Sequence, residues 1–250
     1  MAVAFVLASS QYLTRAIPET VPTTIFPLTV GAWVYPKSAN TMAFFSIGDN
    51  TVTNQYGAIR RQNTGTVSIS AAAGSSESSA NNGVAINANT WNFVVGRFIS
   101  ATNRRVGVLH STSVISHASG TTSRAPTGAN EIRVSGHAAS AVTNAMDGRV
   151  AEWWYATADV QPDGAQIQDQ LLRALAFGGP FSVPAIAKNI VEYRSFRTHP
   201  TCGDLNEIYF GGGSTAAPWT NTGGATIEAH PPFPYWYVRP GQHVKAMVPI

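Results

Sequence analysis

The sequence predicts an all-β protein, a sandwich or a barrel, and three observations carry that prediction. Short segments with period-2 apolar alternation recur along the chain. Clusters of Gly, Asn, Ser, Thr and Pro separate them. Only one stretch has a helical repeat. Alternating runs divided by turn residues are the pattern of packed antiparallel sheets. The 250 residues allow one large domain, or one domain with an extension. A chain of that size removes roughly 70–75% of its extended surface from water, so a full core is within reach.

In chain order the strand candidates are AVAFVLA, LTVGAWVYP, AFFSIG, GAIRRQ, TVSISAAA, WNFVVGRFIS, RRVGVLH, SVIS, EIRVSG and GRVAEWWYA. LTVGAWVYP sets Leu28, Val30, Ala32 and Val34 on one face and Gly31, Trp33 and Tyr35 on the other. Both faces are apolar, so this strand is expected at the centre of a sheet covered on both sides. In WNFVVGRFI, Trp91, Phe93, Val95 and Ile99 share a face with Arg97 between them. That arginine must reach solvent or a carboxylate, because an unpaired buried charge is strongly destabilising. SAAAGSSESSANNGVAINANT reads as a hairpin loop.

The one helix is expected between Asp163 and Phe177, where Ile167, Leu171, Ala174 and Leu175 repeat with a 3.6-residue period. Pro162 precedes it and Gly178–Gly179 stops it. From residue 180 the texture becomes irregular, with strand-like pieces only in NIVEYRSF and EIYFG. The expected organisation is a sandwich over 1–179 and an extended C-terminal arm over 180–250, packing on the sandwich or on a neighbouring subunit.

Charge narrows the function classes. Hydrophobic residues make up 44% of the chain and charged residues only 12%, which suggests a neutral, turn-rich surface. The net charge is +3, but only Arg60–Arg61 and Arg104–Arg105 are adjacent cations. Nucleic-acid binding needs a clustered basic footprint, so it is not expected. Thirteen of the sixteen basic residues are Arg, the type suited to fixed contacts with carboxylates. The single cysteine, Cys202, excludes an internal disulfide and a Cys-based zinc site. The N-terminal MAVAFVLASSQYL is too short to span a membrane and has no basic n-region. The expectation is synthesis in a cytoplasm, with no Sec export and no membrane partner.

Four motifs in order then resemble a known family. SSQYLT, PLTVGAWVYP, NTWNFVVGRF and MDGRVAEWWYATADVQPDGAQIQDQLLRALAFGGP are similar to the concanavalin A-like (laminin-G-like) jelly rolls. The resemblance covers about residues 5 to 180 and implies two antiparallel sheets packed face to face. The later segment IVEYRSF…GDLNEIYFGGGSTAAPWTNTGGATIEAHPPF resembles single-domain members of that kind found among tailed-phage virion proteins.

Laminarinase-type hydrolases of this family use Glu-x-Asp-x-Glu, or a bulged form with one residue inserted. Here DGRVAEWWY places Asp147, Arg149 and Glu152 at the bulged spacing. A cation replaces the middle acid, and it would favour ionisation of both neighbours against the raised pKa a general acid needs. A retaining pair also needs its carboxyl groups about 5–5.5 Å apart, whereas residues five apart in a regular strand face opposite ways. The stretch is therefore expected to build a sheet: Asp147–Gly148 as a turn, Glu152 hydrogen-bonded or Arg-paired, and Trp153, Trp154 and Tyr155 filling both faces. No catalytic residue is expected.

No metal or cofactor is expected either. His110 and His117 lack metal-pair spacing and read as solvated positions, and Gly48-Asp49-Asn50 offers too few hard ligands for calcium and reads as a turn. The resemblance implies a non-enzymatic phage virion structural protein, a capsid decoration (cement) protein, whose partners are the major capsid protein or other virion proteins and its own copies. The alternative is a carbohydrate-binding module of a tail fibre or adhesin, with a surface glycan as partner. Trp219, Tyr235, Trp236, Tyr237 and Arg239 are the candidate interface or glycan-stacking residues. Pro231, Pro232 and Pro234 prestiffen their segment, which lowers the ordering cost on docking, and clustered aromatics mark contact surfaces.

Overall fold

The computed structural model describes residues 2–17, 25–141, 143–161, 166–194 and 219–228. They form fifteen strands: β1 (Ala2–Phe5), β2 (Tyr12–Ala16), β3 (Leu28–Pro36), β4 (Met42–Gly48), β5 (Gln55–Arg61), β6 (Thr66–Ala73), β7 (Ser76–Ala85), β8 (Asn92–Ser100), β9 (Asn103–Leu109), β10 (Ile115–Gly120), β11 (Glu131–Val134), β12 (Gly148–Ala156), β13 (Ile190–Arg194), β14 (Thr220–Thr222) and β15 (Thr226–Glu228). Two helices accompany them, α1 (Asp169–Gly178) and the single turn α2 (Pro184–Ala187).

Two antiparallel sheets result. The back sheet runs β10-β9-β8-β3-β12-β1-β15, and β13 pairs the part of β12 that lies beyond β1. The front sheet runs β14-β2-β11-β4-β5-β6-β7. Between them lies the main core, which includes Phe5, Phe45, Ile59, Ile69, Phe98 and Trp153. The expected jelly-roll sandwich is thus what the chain forms.

β3 is central, flanked by β8 and β12. Its Leu28, Val30 and Val34 enter the main core, while Trp33 faces a second apolar layer under the helices. That layer joins Trp91, Phe93, Val95 and Trp154 to Leu172, Leu175 and Ala176 of α1. Arg97, on the same face, finds its carboxylate: Nε donates to Asp159 Oδ1 at 2.6 Å and Nη2 to the Gln161 carbonyl at 2.6 Å.

Two expectations need correction. The stretch read as a hairpin loop contains β7, ten residues long and paired with β6 along most of its length. Its Ser, Asn and Ala residues lack β-branched bulk, so main-chain pairing and polar side-chain bonds, not apolar alternation, hold it as a strand. The helix begins at Asp169 rather than 163, and its buried residues are Leu172, Leu175 and Ala176, while Ala174 is exposed. The packed stripe is therefore shifted from the one expected, with Ile167 buried just ahead of the helix. Gly179, at φ 72°, ends the helix by donating its N–H to the Leu175 carbonyl at 3.1 Å, a positive φ that a residue without a Cβ adopts readily. The described residues after 179, expected as an arm on the sandwich or a neighbour, contribute strands to both sheets, β13 and β15 to the back and β14 to the front.

A buried ion pair ties these late strands in. Arg15 of β2 donates to Glu192 of β13 at 2.6 Å, with side chains 2% and 0% exposed. Trp219 Nε1 donates to the other oxygen of Glu192 at 2.6 Å. Two hydrogen-bonded carboxylate oxygens are what make such a charge tolerable between the sheets.

Candidate ligand face on the front sheet

Strand alternation sets the outer face of the front sheet. β5 turns Tyr56, Ala58 and Arg60 outward, because Ile59 lies in the core. The register then lines up Tyr56 with Ala72 and Glu77, and Ala58 with Ser70 and Ser79, across β5, β6 and β7. Tyr56 donates its hydroxyl to Glu77 Oε2 at 2.9 Å. Arg60 reaches along the face, bonding Glu77 through both terminal nitrogens and Ser79 Oγ at 2.8 Å. Gln62 donates to Ser68 Oγ at 2.8 Å. The Arg60 and Glu77 side chains are 12% and 29% exposed, so the pair is held in place and still accessible.

The loop after β11 supplies the other wall. Ser135 and Gly136, with φ of 69° and 92°, reverse the chain. Ser46 then anchors the loop, accepting from Ala138 N at 2.6 Å and donating to the Gly136 carbonyl at 2.8 Å. This lays the His137 ring on Tyr56, with centroids 4.4 Å apart and planes 29° apart. Arg133 donates to the His137 carbonyl, pairs with Glu131 at 2.5 Å and lies 4.7 Å over the Tyr12 ring. Planar side chains from β2, β11, β5 and β7 thus share one face.

Protonation on this face is fixed at neutral pH. Burial, assisted by Arg60, pushes the His137 imidazole down to about 4, so it is neutral. Burial and the neighbouring Glu77 push the Tyr56 phenol up, so it stays a donor. Burial would raise the Glu77 carboxyl, but Arg60 and the hydroxyls of Ser79 and Tyr56 outweigh it and hold it below its usual value. The face therefore presents set donors and acceptors, and Glu77 lacks the raised pKa of a general acid.

Of the interface or glycan-stacking residues singled out from sequence, only Trp219 is among the described residues, and it lies away from this face. Trp219 is inside the sandwich, 9% exposed and edge-on to Trp153 at 5.2 Å, rather than a surface platform. Its indole N–H satisfies the buried Glu192, which gives it a structural position. Tyr235, Trp236, Tyr237 and Arg239 lie outside the described residues, as does Cys202. Around β12, Arg149 turns to Glu228 and the Tyr35 ring, and Glu152 accepts from the Tyr193 hydroxyl. Glu152 is the extra residue of a β-bulge, at φ 50°. Trp153 and Tyr155 enter the main core and Trp154 the helical layer, as the stretch predicts.

Asp49 accepts from Thr51 N at 2.8 Å and Asn130 Nδ2 at 3.2 Å, closing a turn. His110, expected in solvent, is buried on Ser116 at 2.7 Å, while His117 meets Asp169 at 3.0 Å. Among the described residues no three His, Cys, Asp or Glu side chains are grouped to hold a metal ion. No helix among them is long and apolar enough to cross a membrane. The signal for the front face was present in sequence as GAIRRQ and SSESS, but their cross-strand register was not.

No family model and no curated protein sequence matches the chain. Solved structures similar in fold include a heptameric SAP-like pentraxin from Limulus polyphemus, at 13% identity and TM-score 0.45, over 66% of this chain and 75% of that one. Another is the LG4-5 fragment of the mouse laminin α1 chain, at 13% identity and TM-score 0.46, over 62% of this chain and 41% of that one. A third is the Ruminococcus gnavus IT-sialidase CBM40 bound to α2,3-sialyllactose, at 11% identity and TM-score 0.45, over 60% and 85%.

Proposed function

We propose that this chain is a non-catalytic glycan-binding jelly-roll module whose binding surface is the outer face of the front sheet around Tyr56, Arg60, Glu77 and Ser79. One observation carries the reading: an accessible Arg–Glu pair, locked by hydroxyls, with a buried Tyr–His stack beside it. Vicinal hydroxyls of a sugar both donate and accept, and an arginine beside a carboxylate supplies both partners at one spacing. Preorganisation limits the entropy cost of binding. The absence of catalysis is part of the proposal, supported by the ionised Glu77 and by the commitment of Glu152 to Tyr193.

The test is binding to immobilised glycans with wild type and Arg60→Met. Retention by the wild type and loss in the variant support the surface. Equal retention in both would move the site elsewhere. Nucleic acid is not a proposed partner, because Arg15, Arg60, Arg97, Arg133 and Arg149 each already sit on a carboxylate.

A second reading makes the chain a decoration protein of a phage capsid, produced in the host cytoplasm, bound to virion proteins and to its own copies. The observation favouring it is an exposed aromatic pair, Phe177 at 46% and Phe181 at 42%, on the helical layer. Exposed apolar patches mark contact surfaces. Antibody labelling of particles separates the readings: label over heads supports decoration, and label confined to fibre tips supports glycan binding alone.

A further inference from the structure

We infer that the front face selects neutral sugars and rejects acidic ones. The inference rests on the glycan-binding reading above and deepens it. The strands of this face carry two cations outward, and each is already matched. Arg60 has both terminal nitrogens on Glu77. Arg133 is paired with Glu131 at 2.5 Å, and their side chains are 5% and 11% exposed. His137, the remaining group there able to take up positive charge, is 3% exposed and stacked on Tyr56, and burial keeps it neutral. Among the described residues, this face therefore holds no spare positive charge.

Recognition of a sialic or uronic acid needs a cation free to take the ligand's carboxylate, usually a bidentate arginine. Here such a carboxylate could reach Arg60 only by lying against Glu77, and juxtaposed like charges suppress the wrong partner. A neutral hexose meets no such penalty. Its hydroxyls can accept the second hydrogen of Arg60 Nη1 and donate to Ser79 Oγ, which is exposed next to the pair, without breaking it.

The experiment uses the full chain on a printed array of neutral glycans, terminated in galactose, glucose or mannose, and acidic glycans bearing sialic or uronic acids. The wild type is expected to bind neutral members and to discriminate against acidic ones by about tenfold or more. Glu77→Gln frees the Arg60 charge and is expected to erase that discrimination. Arg60→Met is expected to weaken neutral binding with no gain on acidic members. Matching thermal melts of the three proteins exclude a folding defect.

Preference of the wild type for acidic glycans overturns this inference and leaves glycan binding standing. Neutral binding unchanged in both variants also overturns it, since the site is then elsewhere. No binding to either class removes the glycan-binding reading itself.

Discussion

On the outside of the back sheet, Trp33, Trp91, Phe93, Val95 and Trp154 lie beneath the helical layer. On the outside of the front sheet, the corresponding rows carry Tyr56, Arg60, Ser70, Glu77 and Arg133. Both faces are sheet surfaces of the same sandwich, and both contain fully buried side chains. The back face is buried by apolar cover. The front face instead has its polar groups satisfied in place: Ser68 and Ser70 are fully shielded, Ser68 accepting from Gln62 and Ser70 donating to the Ala58 carbonyl. An apolar face must be covered to be stable, whereas a self-satisfied polar face can meet water or a ligand. The glycan-binding proposal rests on this difference, which is why it assigns recognition to the front side.

The largest test falls on the covered side. Trp154 is 1% exposed, and its ring lies so close to Gly31 that a Cβ there would come within 2.4 Å. Trp154→Ala leaves a cavity between β3 and the helical layer. The expected loss is about 3–5 kcal/mol, read as a lower midpoint in urea. Gly31→Ala should also destabilise, from overpacking against the same ring. If Trp154→Ala costs less than about 1 kcal/mol, the helical layer is not a true cover and the contrast between the faces fails.

That contrast also explains what could be read from sequence. The back sheet was legible because its strands bury both faces: LTVGAWVYP and GRVAEWWYA form strands with the bounds their residues suggest. β7 was not legible, since its outward residues are polar and its inward ones small, so the alternation carries no hydrophobic signal. The helix was legible but its phase was not. Ile167 supplies a buried contact from before the first turn, so counting it as helical shifted the stripe. Trp219 was a stacking candidate in sequence, and its burial depends on distant partners, Glu192, 27 residues away, and the Trp153 ring. The His137–Tyr56 stack spans 81 positions, beyond any local pattern.

The second test asks whether the front face is as buried beneath its loop as its geometry implies. His137 titrates at about 4 in the fold against an ordinary 6.5. Above pH 6.5 both folded and unfolded chains hold it neutral. As pH falls from 6.5 to 4, the unfolded chain takes up a proton that the folded chain refuses, so stability drops. The expected loss approaches about 3 kcal/mol over that window, and His110, also lowered by burial, acts in the same direction. Glu77, with a lowered pKa, adds its loss only at more acid pH, below the usual carboxylate value. His137→Gln should flatten most of the slope between pH 6.5 and 4 in urea titrations. An unchanged slope would mean the loop stands open and the ring is solvated.

The smallest effects are expected where each face meets solvent, and there folding and binding should separate. Glu77→Gln breaks an accessible ion pair, and such pairs contribute about 0–1 kcal/mol, so its midpoint should move little while its glycan preference changes. On the opposite side, Phe177 and Phe181 lie over the helical cover, with Phe181 edge-on to Tyr193 at 5.5 Å. Roughly half-exposed side chains add little to folding, and Phe177→Ser with Phe181→Ser should stay within about 1 kcal/mol. If the patch joins copies of the chain, sedimentation will show the wild type associating and the double variant monomeric at equal concentration. If both are monomeric, the patch is idle in self-association. A large loss of stability in the double variant would instead make these rings part of the cover, extending the buried back face outward by one layer.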